Sequence, residues 1–346
     1  MDVMTVLGPI EPPTLSRTLM HEHVLVNFAG ALSLFPTAAA EMKDSPLDMT
    51  SLGRLHRNPF SLRENVSLAD ERQAIEELTW YKEAGGRSLV ELTSIGIGRN
   101  VQGLRRIANA TGIHIVAGCG WYRGASHPPY VAEATIASLT ERIVKDLTDG
   151  IDNTGIRAGI IGEIGTSSPV TPTEAKVLQA ASRAQRATGA SLNVHISSEF
   201  RGIGLPEVVR LLKEEGVPPE RVILSHMDEA IPPERLYLAA DEGFNIEFDC
   251  FGHEYYYPTD RDAHSLPCEP RDVDRLAGLG KLIARGHLSQ LLVSQDVFLK
   301  MNLRQYGGWG YDHILTNVIP MAWQFEISDQ AIEAMLTDNP CRILPF

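Results

Sequence analysis

The sequence is short of several features that mark whole classes of protein. Only four cysteines occur, Cys119, Cys250, Cys268 and Cys341, and none forms a Cys-x-x-Cys pair. That excludes a disulfide scaffold or a thiolate zinc site and leads us to expect a reducing, cytoplasmic setting. Basic residues are outnumbered: 31 Lys and Arg against 44 Asp and Glu leave a formal charge of −13. A nucleic-acid groove and a polybasic membrane anchor both need clustered cations, so neither is expected. No apolar run reaches the roughly 18 residues of a membrane span, and residues 1–6 hold no basic region leading into an apolar core, so no secretory signal is expected. The apolar share, 43% against 22% charged, belongs to a folded globular chain rather than a disordered one.

Eight short runs rich in Val, Ile and Leu recur along the chain, at 18–23, 88–92, 113–118, 158–163, 191–195, 222–226, 245–248 and 291–294. They mostly lack polar alternation, as strands buried on both faces of a parallel sheet do. Helical signals lie between them. Ser67-Leu68-Ala69-Asp70 opens a helix that ends at Gly85-Gly86, and Thr171-Pro172-Thr173-Glu174 reads as a capping box for a helix closing at Gly189. Eight such units predict a (β/α)8 barrel spanning residues 1–346 as a single domain. A doubly wound sheet would need a glycine-rich phosphate turn after the first strand, where Glu22-His23-Val24-Leu25-Val26 stands instead. The long connections, 27–66, 249–270 and 297–310, follow strands 1, 7 and 8 and would crowd the mouth where barrel active sites lie.

His21-Glu22-His23 ends the first run, and residues i and i+2 of a strand share a face, so two imidazoles can meet one ion. An isolated His-x-His is more often structural. The other strand ends change that weighing: the fifth and sixth runs end in His195 and His226, and the eighth leads into Asp296. Four imidazoles and a carboxylate converging on one opening suit divalent ions. They are too many for one open site, and a further carboxylate would complete a pair. Glu163, in Ile161-Gly162-Glu163-Ile164-Gly165, is the candidate.

These pieces resemble the amidohydrolase superfamily and, within it, the phosphotriesterase family, nearest its phosphotriesterase-related proteins. The likeness runs from Thr5-Val6-Leu7-Gly8-Pro9-Ile10 and Thr18–His23 through Glu91–Arg99 and Ala158–Gly165 to Val293–Asp296 and Tyr306–Asn317. It implies that His21, His23 and Asp296 hold a buried metal, that His195 and His226 hold a more exposed one, and that Glu163 and a hydroxide bridge them. Phosphotriesterase itself bridges with a carboxylated lysine, and Gly162 stands where that lysine would align. Strand parity turns Glu163 to the wrong face, so a local twist at Gly162 or Gly165 is expected to bring it in.

The reaction expected is hydrolysis by a metal-activated hydroxide, with Asp296 as proton shuttle and no Ser or Cys nucleophile. Zinc is the first choice of ion, with manganese, cobalt or iron as alternatives. The substrate is a small carboxylic ester, lactone or N-acyl amide. A phosphotriester hydrolase, a deaminase and a non-catalytic binding protein on the same barrel are the competing readings. Tyr122, Tyr255, Trp309 and His313 are candidate substrate contacts, and Arg99 or Arg304, with Arg123 and Arg261 in similar positions, is a candidate partner for a substrate anion. A homodimer is a further expectation from the resemblance.

Overall fold

The computed structural model describes residues 1–34, 36–229, 231–257 and 268–346. Eight parallel strands form its centre: β1 (Thr18–Glu22), β2 (Ser88–Glu91), β3 (His114–Cys119), β4 (Ile160–Gly165), β5 (Leu192–His195), β6 (Val222–Ser225), β7 (Asn245–Phe248) and β8 (Leu291–Val293). They are hydrogen-bonded in sequence order. At the mouth, Asp296 N donates to the His21 carbonyl at 3.1 Å and Ser294 Oγ accepts from the His21 backbone N–H at 2.9 Å, joining the last strand to the first. The architecture is the expected (β/α)8 barrel, and each apolar run is one of its strands to within two residues.

The helices are α1 (Glu71–Glu83), α2 (Val101–Thr111), α3 (Ile136–Thr148), α4 (Pro172–Thr188), α5 (Leu205–Glu214), α6 (Pro233–Asp241) and α7 (Asp272–Ala284), with further helical turns over 314–343. Their ends follow local chemistry. Asp70 accepts from Arg72 N and Gln73 N at the start of α1, and Thr171 and Glu174 form the reciprocal capping box of α4. Gly189 closes α4 at φ 79°, a left-handed conformation that costs glycine least. None of the described helices is long and apolar enough to cross a membrane.

Inside the barrel, Met20, Val90, Val116, Ile160, Ile223 and Leu292 pack into one apolar layer, sealed from below by Val3, Leu15, Ile343 and Leu344. The layer fills the lower interior, so polar side chains can converge only above it, at the C-terminal ends of the strands.

Candidate metal centre

Two register shifts turn the candidate ligands inward. Between β1 and β2, Leu19 pairs with Leu89 and Glu22 with Glu91, three steps on one strand against two on the other. The extra residue resets the alternation. Met20 belongs to the interior layer, and His21 and His23, rather than Glu22, point into the mouth. The same happens in β4, where Ile161 pairs with Leu192 and Ile164 with Val194. Gly162 sits in that bulge at φ 133°, and a Cβ there would lie 2.6 Å from Asn193 O, so only glycine fits.

Glu163 consequently stands among four imidazoles. Its Oε1 lies 2.8 Å from His195 Nδ1, 3.0 Å from His226 Nε2 and 3.7 Å from His21 Nε2, and its Oε2 lies 4.0 Å from His23 Nε2. Asp296 Oδ1 closes the other side, 3.2 Å from His23 Nε2 and 3.8 Å from His21 Nε2. His226 and Asp296 both have left-handed backbones, at φ 58° and 47°. Such conformations cost a residue with a Cβ, and they persist where surrounding contacts hold them.

A deeper set of groups orients the rings. Asp249, just beyond β7, accepts from the His226 backbone N–H at 3.0 Å, and its Oδ1 lies 3.0 Å from His226 Nδ1. Its other oxygen lies 3.1 Å from His21 Nδ1, which also has Glu247 Oε2 at 3.3 Å. Thr93 Oγ1 donates to Glu91 Oε1 at 2.6 Å and so accepts from His23 Nδ1 at 2.9 Å. In His21, His23 and His226 the far nitrogen, Nδ1, thus faces an acceptor, which turns Nε2 toward the mouth. Glu22 points away and ties the seam, accepting from Ser294 Oγ, Gln295 N and Val297 N at 2.7, 3.0 and 2.9 Å. Burial, only partly offset by these donors, pushes its carboxyl up to about 8. His253 Nε2 donates to the Asp296 carbonyl at 3.0 Å; burial draws its imidazole down to about 4.

This donor set fits divalent cations. His21 Nε2 is sealed from solvent and has no hydrogen-bond partner among the described residues, although it faces two carboxylates. Burial alone would raise Glu163, yet the imidazoles of His195 and His21 hold its carboxyl well below the usual range. Burial alone would lower His21 and His226, yet Asp249 drives both well above an ordinary histidine. The cradle attracts positive charge even where only protons are available to supply it. His195 behaves otherwise: burial brings it to about 4, with His226 and Arg123 opposing its charge.

The other candidates are dispersed. Tyr122 is buried beside the centre, its ring 5.2 Å from that of His195. Tyr255 is buried with its ring 5.2 Å from His253. Trp309 is half-exposed and stacks on His313 at 4.8 Å, while His313 Nε2 lies 2.6 Å from Asp272 Oδ2. His313 is thus held by contacts of its own to Asp272 and Asn317. Arg99 is clamped by Asp146 at 2.7 Å and Asp152 at 3.0 Å, and Arg304 lies 3.3 Å from Asp312 with its guanidinium over the Trp80 ring. Both charges are taken up within the chain. Arg261 lies outside the described residues. Reading the sequence missed Asp249, Glu247, Glu91 and Thr93. Glu247-x-Asp249 and Glu91-x-Thr93 repeat the i, i+2 spacing of His21 and His23 at other strand ends, and that was the available signal.

A barrel whose mouth gathers four imidazoles and two carboxylates around one buried centre is a metal-dependent hydrolase of the amidohydrolase superfamily. The family model described as "Phosphotriesterase family" matches residues 1–344, and the chain belongs to that family. The N-acetyltaurine hydrolase of Xenopus tropicalis is 38% identical over 99% of this chain and 98% of its own length, and that of Homo sapiens 36% over the same shares. Among solved structures, a resiniferatoxin-binding protein from Rhodobacter sphaeroides superposes with a TM-score of 0.90 at 33% identity, covering 99% of this chain and 94% of that one. The phosphotriesterase homology protein of Escherichia coli, with phosphate in its active site, gives 0.77 at 29% identity over 97% of this chain and 100% of that one.

Proposed function

We propose that this chain is a binuclear hydrolase of small N-acyl amides. His21, His23 and Asp296 would hold one divalent ion and His195 and His226 the other, with Glu163 between them. The observation that carries this reading is Glu163 ringed by imidazoles from β1, β5 and β6. The amide bond is favoured over esters and lactones by the full-length likeness to N-acetyltaurine hydrolases. A non-catalytic role would tolerate damaged ligands, and the sequence retains a histidine or carboxylate at every one of these positions. Imidazole and carboxylate donors make zinc the first choice of ion. When bound, the ions would supply Lewis acidity that activates water and polarises the acyl carbonyl.

The chain's own residues do the rest. Asp296 sits at the rim with slight exposure, where its carboxylate takes the proton of the attacking water and passes it to the departing nitrogen. His253 holds the Asp296 backbone, and Glu22 holds the residues on either side of it. Tyr122 keeps its proton, because burial next to Glu163 raises its phenol well above the usual value, and it can donate to the developing oxyanion. Four unbridged cysteines suit a cytoplasmic protein, the acidic surface suits one that leaves nucleic acid alone, and a homodimer is carried over from the family likeness.

The test is a hydrolysis screen of metal-loaded protein against N-acetyl amines, lactones, aryl esters and paraoxon-like triesters, with metal content measured on the same sample. Two ions per chain with amide turnover highest is the expected result. Turnover of lactones or triesters alone would overturn the amide reading.

A further inference from the structure

We propose that Arg123 is the receptor for an anionic group on the amine side of the substrate, and that Glu199 is a built-in competitor holding its place. The inference rests on the N-acyl amide reading and narrows it to amides of acidic amines.

Arg123 differs from the other arginines considered for an anion. It lies in the loop after β3, four residues past its end, and adjoins Tyr122, whose ring packs against His195. Its backbone lies on Gly165 of β4, where a Cβ would come within 2.1 Å of Arg123 N, so the position is fixed from below. Arg123 is 4% exposed. Nε and Nη2 lie 3.4 and 3.3 Å from Ser167 Oγ, and that hydroxyl donates to Glu174 Oε1 at 2.7 Å. The guanidinium is therefore aimed by groups on the loop after β4 and the first turn of α4. Among the described residues its only carboxylate ion-pair partner is Glu199 Oε2, 2.8 Å from Nη2, and Nη1 makes no hydrogen bond there.

Glu199 is unlike Ser167. It lies in the short turn Glu199–Arg201 beyond β5, and its side chain is 36% exposed. Arg99, by contrast, is also paired with a deeply buried Asp146, whose side chain is 3% exposed, so displacing its exposed partner Asp152 would still leave it neutralised. An incoming sulfonate or carboxylate can take the place of Glu199 on the fork, and the displaced carboxylate returns to solvent at little cost. The guanidinium stays desolvated throughout, so the new pair keeps most of its strength. A chain carrying −13 formal charges repels anions at long range, and a sheltered cation gives an acidic substrate a local partner.

The experiment uses the metal-loaded full chain with N-acetyltaurine and its neutral counterpart N-acetylethanolamine, and separately titrates isethionate as a bare sulfonate probe by calorimetry. For Arg123→Met we expect the anionic-to-neutral ratio of kcat/KM to fall about thirtyfold and isethionate binding to be lost, with Arg123→Lys in between. Glu199→Gln should tighten isethionate and lower KM for the anionic amide, each about threefold. An equal loss on both amides, or isethionate binding untouched by Arg123→Met, would overturn the receptor; unchanged binding in Glu199→Gln would overturn the competitor. If the wild type cleaves neither amide, the amide reading fails, and the isethionate titration still decides on Arg123. Should Arg123→Met melt early, the Lys and Glu199 variants carry the test.

Discussion

Asp249 serves one histidine on each side of Glu163, so replacing it with Asn should weaken both metal sites, and unequally. Its Oδ1 lies 3.0 Å from His226 Nδ1 and its Oδ2 3.1 Å from His21 Nδ1. The amide of Asn has one acceptor and one donor. With its oxygen turned to His226, where the backbone N–H also needs an acceptor, its NH2 faces His21 Nδ1. His21 then gives up the Nδ1 proton or is left with Glu247 Oε2 alone, 3.3 Å away. The tautomer that relieves the clash protonates Nε2, the nitrogen facing Glu163 and Asp296. Loss of an orienting partner typically costs about 10–100-fold in metal affinity. We expect about tenfold at the His195–His226 site and about a hundredfold or more at the His21–His23 site, the latter near 3 kcal/mol. Competition with a chelator of known affinity, followed by elemental analysis, measures both steps. Thr93→Val touches His23 alone and provides the single-site comparison. Unchanged affinities in Asp249→Asn, or a loss falling only on the His195–His226 site, would refute the reasoning.

Asp296→Asn should retain much of the bound metal while kcat falls about 10²–10⁴-fold; near-normal kcat in a metal-replete sample would remove the proton-transfer role. Gly162→Ala forces a Cβ to 2.6 Å from Asn193 O at φ 133°, which should cost about 1–3 kcal/mol and displace Glu163. Thermal melting and metal content of that variant should both drop, and wild-type values for both would show the bulge to be dispensable. His253, held near pKa 4 against 6.5 when unfolded, stays neutral in the fold, so its contribution is present above pH 6.5 and lost as pH falls toward 4. The full effect is of order 3 kcal/mol. His253→Gln keeps a donor for the Asp296 carbonyl and should flatten the acid limb of the melting curve in metal-free protein. Parallel wild-type and variant curves would count against that assignment.

What could be read directly in the sequence was local. A strand buried on both faces is an apolar run, and a capping box is four consecutive residues, so the strands and the start of α4 were visible without a fold. The strand-end histidines were visible because a polar residue closing an apolar run has few other reasons to be there. The inward turn of Glu163 was expected only from the family likeness and ran against strand parity, because it depends on the register of β4 against β5, a property of two strands rather than one. The fate of the arginines was hidden for the same reason. Arg99 is neutralised by carboxylates 47 and 53 residues away, and only the barrel brings them together. Asp249 was missed because a single aspartate after a strand looks like any loop residue until His21 and His226 are found beside it.

The buried charges explain why the centre and the fold belong together. Glu163, Asp249 and Glu247 are almost wholly removed from water, and Asp296 nearly so. Buried carboxylates are tolerated only when paired. In the absence of ions the pairing falls to His21 and His226, whose imidazoles Asp249 keeps protonated against the pull of burial. Those protons sit on the rings whose lone pairs a metal requires, so metal uptake must displace them. The four carboxylates thus have cationic partners in either state, and two divalent ions would neutralise them more fully than two ring protons do. That pairing lets the barrel fold around four carboxylates set above an apolar interior layer, and it leaves the metal-loaded form favoured as pH rises and the competing protons become scarce.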